Sequence, residues 1–133
     1  MTKRILIAAG AMGAFSVILG AVGQHFLAGN ISEKSMTYYE ISYTFMMYHT
    51  LALLALTFMN RYVKRSYLKI VFYLFIVGII LFSGTLLLSS LKEVTGMGIG
   101  PLSKLTPIGG LSLIVGWIMI VFSGVTYKHK KRH

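Results

Sequence analysis

Four uninterrupted apolar runs dictate how this chain folds, because each is about the 20 residues that a helix needs to cross a bilayer. They cover residues 5–28, 41–59, 69–91 and 105–126, and none carries Asp, Glu, Lys or Arg in its interior. In hydrocarbon a backbone N–H or C=O has no water to bond, so a run of this length satisfies its own backbone as a helix. The connections, 29–40, 60–68 and 92–104, are short and carry no linker signature. The expected fold is all-α: a single integral-membrane four-helix bundle over residues 1–133, with a basic tail at 127–133.

The first run has a rival reading as a secretory signal, since Lys3 and Arg4 precede it. Its length argues for a retained membrane helix, because a signal core spans about 7–15 residues. It also ends in Gly23-Gln24-His25-Phe26, with no small-x-small cleavage site.

Charge placement sets the expected orientation. The chain carries 13 Lys+Arg against 3 Asp+Glu, a formal net charge of +10. In a soluble domain that excess would point to nucleic acid. Here charged residues make up only 12% of the chain, against roughly a quarter in soluble domains, and the cations sit at helix ends. Lys3, Arg4, Arg61, Lys64, Arg65, Lys69, Lys128, Lys130, Lys131 and Arg132 fall on one side of a four-span topology, with no acid among them. The opposite side balances Lys34, Lys92 and Lys104 against Glu33, Glu40 and Glu93. The positive-inside rule then places both termini in the cytoplasm, giving a multi-pass cell-membrane protein. The implied partners are anionic lipid headgroups, met by Arg61, Lys64, Arg65, Lys128, Lys130, Lys131 and Arg132 at about 1 kcal/mol each. Tyr62, Tyr67, Tyr127, Tyr38 and Tyr39 read as interfacial anchors. Trp117 lies mid-run instead, and its indole N–H requires a partner or a packed site.

Helices in lipid associate through small residues and interhelical hydrogen bonds. Ala9, Gly13, Ser16, Gly20 and Gly23 form one seam along the first run, and Gly10, Ala14, Ala21 and His25 form a second stripe. Two small faces predict a central position for this helix. Gly109, Ser112, Gly116 and Ser123 repeat the device in the fourth run, and Gly78, Ser83 and Gly84 in the third. These glycines read as packing positions. The same surfaces leave room for a homo-oligomer or another membrane protein as partner. Thr106-Pro107 suits a helix start. The loop Gly96-Met97-Gly98-Ile99-Gly100-Pro101 lacks the Lys-Ser/Thr of a phosphate-binding loop.

Four stretches taken together resemble a known family. Gly20-Ala21-Val22-Gly23-Gln24-His25-Phe26-Leu27, Tyr48-His49-Thr50-Leu51-Ala52-Leu53-Leu54, Leu81-Phe82-Ser83-Gly84-Thr85, and Thr106-Pro107-Ile108-Gly109-Gly110-Leu111 followed by Gly116-Trp117 occur in order along the chain. They are similar to motifs of the small four-helix membrane family known as domain of unknown function 423, which includes transmembrane-protein-256-like proteins. Val22, Gln24 and Thr50 depart from those motifs. The resemblance implies a multi-pass membrane protein without an established activity.

Chemistry-bearing side chains are few. Counting 1.5 Å per residue from the run boundaries puts His49 and Ser83 each about 12 Å below the outer surface, His25 about 4–5 Å in, and Thr106 at the boundary. These four form a candidate polar pocket opening outward. Ionisable groups inside a membrane are costly and often functional, so His25 and His49 are candidates to bind a proton, a metal or a small ligand. The plainer reading is that neutral imidazoles hydrogen-bond a neighbouring helix. Two histidines without a carboxylate or thiol fall short of the three or four ligands zinc requires, so no metal or cofactor is expected. No acid accompanies either histidine and no serine occupies a nucleophile elbow, so no catalytic residue is assigned. Three functions remain: a non-enzymatic accessory or packing protein, favoured by the small-residue seams; a carrier of a small solute, ion or proton using the His25/His49 pocket; and an enzyme acting on a lipid or quinone headgroup.

Overall fold

A computed structural model of the chain describes residues 1–127. Every regular element among them is helical. Helix α1 spans Thr2–Val22 and continues through a widened π turn, Gly23–Leu27, closed by the Ala28 N–H donating to the Gly23 carbonyl at 2.9 Å. Helix α2 spans Glu33–Met59, α3 Arg65–Ser90, the one-turn α4 Lys92–Thr95, and α5 Leu105–Val125 after a 3-10 turn at Gly100–Lys104. Four segments of 26 or 27 residues are long and apolar enough to cross a membrane. At 1.5 Å rise each is about 39 Å long, more than the ~30 Å hydrocarbon core, so the ends reach the headgroup layer or the helices tilt.

Local chemistry sets the breaks. Ser32 caps α2, its Oγ accepting from the Ser35 N–H at 3.2 Å, and Glu33 in the first turn complements the helix dipole. The reversal before α2 passes through Gly29 at φ 81°. Gly96, at φ 70°, ends α4 in the left-handed conformation that glycine adopts without steric cost. Pro101 is the second residue of the 3-10 turn, where its missing N–H costs nothing.

Side-chain bridges fix which helix ends lie together. Asn60 donates to Thr2 at 2.9 Å, and the rings of Tyr62 and Tyr127 meet edge-on, so the N-terminus, the α2–α3 connection and the end of α5 share one end. At the other end the Glu93 carboxylate accepts from the Ser32 and Ser35 hydroxyls, each at 2.6 Å, and from the Ser32 N–H at 2.9 Å.

The helices pack in chain order, α1 on α2, α2 on α3, and α3 most extensively on α5. Helices α1 and α5, at the two ends of this series, share no comparable contact. The central position expected for α1 therefore belongs to α2 and α3. The reason lies in which small face is used. The Ala9–Gly13–Ser16–Gly20–Gly23 seam meets α2: a Cβ at Gly13 would lie 3.3 Å from Thr50, one at Gly20 3.6 Å from the Tyr43 ring, and one at Gly23 2.6 Å from the Tyr39 ring. The second stripe is not occupied, and a Cβ at Gly10 would meet nothing within 4 Å. Large apolar side chains such as Ile7 and Val17 on α1, and Ile114 and Val121 on α5, stay exposed to lipid.

The closest approach joins α3 to α5. A Cβ at Gly109 would come within 2.8 Å of the Gly78 carbonyl oxygen, and one at Gly116 within 2.6 Å of the Phe75 ring. Gly84 differs from these, since a Cβ there would meet nothing. Its expected packing role is corrected: it faces an open groove.

Candidate functional site

The only imidazole held in the interior of the described structure is His49, on α2, about 15 Å from that helix's last residue at 1.5 Å per residue. The ring lies edge-on to Phe75 of α3, with centroids 5.0 Å apart, and Phe45 stacks one turn away on α2 at 6.3 Å. Trp117 of α5 reaches across α3 to meet it at 6.0 Å. Both imidazole nitrogens are engaged. The Trp117 indole N–H donates to His49 Nε2 at 3.1 Å. An indole nitrogen only donates, so Nε2 must be the unprotonated acceptor. The proton is thereby assigned to Nδ1, which donates to the Phe45 carbonyl oxygen at 2.7 Å. His49 is a neutral ring locked in one tautomer, linking α2 to α5 over the face of α3.

The sequence required a partner or a packed site for Trp117, and His49 Nε2 supplies the partner. What the sequence did not supply was the pairing itself, since the two residues are 68 positions apart. The mid-membrane placement of Trp117 was the available signal.

The other expected pocket residues lie elsewhere. Contacts set the register of α1 on α2: Gly23 meets Tyr39 and Met36, while Gly13 meets Thr50. His25 therefore sits about 12 residues, or ~18 Å, from the level of His49, and its side chain is exposed. Thr106 is 11 residues before Trp117 on α5, about 16 Å away along that axis, and hydrogen-bonds Thr85 of α3. Ser83 is fully buried on α3 and its Oγ has no hydrogen-bond partner in the protein. His25 and Thr106 thus lie well away from His49 along the helices, and no hydrogen bond joins Ser83 to any of the three. The physical reason is that α2 begins at Glu33, eight residues earlier than its apolar run, which carries His49 deeper than a count from residue 41 implies. None of four surface clefts among the described residues is lined by any of the four side chains.

Three further polar side chains in the spans tie helix to helix, while Ser42, Thr50, Thr57, Ser90 and Ser123 bond carbonyls of their own helices. Ser16 of α1 donates to the Tyr43 carbonyl at 2.7 Å, Tyr39 of α2 donates to the Leu19 carbonyl, and Ser112 of α5 donates to the Leu74 carbonyl at 2.8 Å. Among the described residues no group of three or more His, Cys, Asp or Glu is placed to hold a metal ion. The basic tail residues Lys128, His129, Lys130, Lys131, Arg132 and His133 lie outside the described residues.

Glu93 marks the second polar cluster. Hydrogen bonds from the Ser32 hydroxyl, then the Ser35 hydroxyl and the Ser32 N–H, hold its carboxyl below the usual value of 4.5. It ties α4 to the start of α2 across the loop end of the molecule. Its charge also faces the N-terminus of α2, where the helix dipole favours an anion.

Comparison with known proteins now bears on the motifs. The model of the family described as "Protein of unknown function (DUF423)" matches residues 19–110. The chain belongs to this family. Within the DUF423 proteins it is 32% identical over 126 residues to the UPF0382 membrane protein YwdK of Bacillus subtilis, covering 93% of this chain and 98% of that one. It is 31% identical over 133 residues to the UPF0382 inner membrane protein YgdD of Escherichia coli, covering 98% and 96%. It also matches a UPF0382 membrane protein of Haemophilus influenzae at 27% identity over 128 residues. No solved structure matches the chain. This chain is accordingly a multi-pass membrane protein, and His25, His49, Ser83 and Thr106 all lie inside the matched segment.

Proposed function

We propose that this DUF423 protein is a non-enzymatic accessory protein of the cell membrane, with both termini in the cytoplasm. Its interior is committed to holding helices together, and its outer faces meet lipid or another membrane protein. The observation that carries this reading is the His49–Trp117 bond. It occupies the imidazole nitrogen that a proton carrier, metal site or general base would need. The distance of His25 and of Thr106 from His49 along their helices supports the same conclusion. So does the absence of any carboxylate near His49, since the three acids are Glu33, Glu40 and Glu93. The cytoplasmic orientation rests on the distribution of cations, with Arg4, Arg61, Lys64, Arg65 and Lys69 at the end shared by the N-terminus and the α2–α3 connection.

Reconstitution in sealed vesicles tests the functional half. Vesicles containing the purified protein should show no more acid-driven proton entry than protein-free vesicles. A flux that His49→Phe removes would overturn the accessory reading in favour of a carrier. A reporter fused after His133 should behave as cytoplasmic and one inserted at 29–40 as external; the reverse pattern would invert the orientation.

A further inference from the structure

We infer that the cleft between α1 and α3 is a binding site for one anionic glycerophospholipid, its phosphate held at the basic end and one acyl chain lying along the groove. The inference deepens the reading above and rests on it in one respect: that the end carrying these cations lies against a headgroup layer.

Two clefts follow one another along α1 and α3. The first, about 450 Å³, is lined by Met1, Arg4, Arg65, Ser66 and Lys69. Three cations from two helices thus converge on one space. Arg4 is further steadied by donating to the Tyr73 hydroxyl at 3.4 Å. No acidic side chain neutralises them, because Glu33, Glu40 and Glu93 belong to the opposite end, where Glu93 is bound to Ser32 and Ser35. Guanidinium forks match a phosphate's oxygens in bidentate geometry, and the lysine adds a point charge.

The second cleft, about 480 Å³, is apolar and lies between the same two helices, with Ala8 and Phe15 on one wall, Ile76, Gly84 and Leu87 on the other, and Met46 of α2 among its lining. Helical spacing joins the two clefts. Arg4, Ala8 and Phe15 share a face of α1, and Arg65, Lys69, Tyr73, Ile76, Gly84 and Leu87 share a face of α3. Both helices start at the basic end, so the stripes run in parallel from charge to hydrocarbon. From Ile76 to Leu87 the groove is about 16 Å long at 1.5 Å per residue, close to half of a ~30 Å core and so to one acyl chain. Gly84 keeps it open, since a Cβ there meets nothing within 4 Å.

Charge decides between a lipid and a second copy of the chain. Another copy in the same membrane orientation brings the same cations to the same level and no carboxylate. An anionic lipid supplies the missing charge and an apolar filler in one molecule.

The test uses the full chain in detergent, with melting followed by circular dichroism as phosphatidylglycerol or phosphatidylcholine is added. Wild type should be stabilised by phosphatidylglycerol and much less by phosphatidylcholine. In Arg4→Gln/Arg65→Gln/Lys69→Gln the apparent affinity should fall about a hundredfold, from roughly fivefold per juxtamembrane cation. Gly84→Leu, with Ala8→Leu as a second groove-filling variant, should lose the response while keeping all charges. Arg61→Gln/Lys64→Gln, which removes two cations outside the cleft, should lose markedly less than the triple variant. The proposal is overturned if phosphatidylcholine stabilises equally, if the Arg61/Lys64 variant loses as much as the triple variant, or if both groove variants respond fully. A wild-type dimer that Gly84→Leu dissociates would assign the groove to self-association instead. Proton flux through vesicles is a separate readout, so failure here and failure of the accessory reading are distinguishable.

Discussion

Trp117→Phe should loosen the contact between α2 and α5 by an amount that the geometry bounds. The change removes one donor, the indole N–H held 3.1 Å from His49 Nε2. A net hydrogen bond contributes about 0.5–1.5 kcal/mol, and interhelical bonds within a bilayer average about 0.6, reaching about 1.7. The acceptor left behind is the second cost. His49 is 4% exposed and faces the rings of Phe45 and Phe75, neither of which can donate to Nε2. An unpaired buried acceptor costs about 1–3 kcal/mol, at the lower end when a ring can tilt to find another donor. Trp117 is itself 47% exposed, so the smaller Phe ring forfeits little buried area. The expected destabilisation is about 1–2.5 kcal/mol. Measuring it needs a double-mutant cycle over wild type, Trp117→Phe, His49→Phe and both together, with unfolding in mixed micelles followed by far-ultraviolet circular dichroism. Circular dichroism is required because Trp117 is the one tryptophan of the chain. The coupling should be about 0.6–1.7 kcal/mol, and additivity within about 0.2 kcal/mol would refute the bond as a helix tie.

Three further outcomes follow from the packing and the loop end. Gly109→Ala should cost about 1–3 kcal/mol, since its Cβ would strike the α3 backbone, whereas Gly10→Ala in open space should be neutral or stabilising by up to about 1 kcal/mol; equal effects in chemical unfolding would refute the assigned α3–α5 contact. Ser83→Ala should leave stability within about 0.5 kcal/mol of wild type or raise it, because it deletes a buried hydroxyl that has no partner, and a large loss would show a bond that this geometry lacks. Because the Glu93 carboxyl is held below 4.5 in the folded protein, its contribution is fully present above that pH and is lost as pH falls through the lowered value. The melting-temperature advantage of wild type over Glu93→Gln should therefore shrink on acidification below pH 4.5, and an advantage that grows would refute the assigned bonds.

Much of the architecture is legible in the chain because lipid leaves few alternatives. Runs of apolar residues long enough to span hydrocarbon have to be helices, and the small seam from Ala9 to Gly23 marks a face on which another backbone can approach. The seam does not say which helix uses it. Gly10 and Gly84 are as small as Gly13 and Gly109, yet the first pair opens onto space and the second is pressed against neighbours. Depth was misjudged for His49 because hydropathy finds the apolar part of a helix, whereas α2 continues through Glu33–Glu40 on polar and aromatic residues that hydropathy discounts.

The sequence alone determined the number of spans, the helical class, the family motifs and the side on which cations accumulate, since each depends only on composition along the chain and on the solvent's refusal of unpaired backbone. Tertiary structure decided that α2 and α3 form the middle, that Trp117 is bonded to His49, and that Arg4, Arg65 and Lys69 line one cleft. Those results turn on how four rods are rotated about their axes. A rotation of 100° per residue moves a side chain from lipid to a neighbour without changing anything that a linear reading measures.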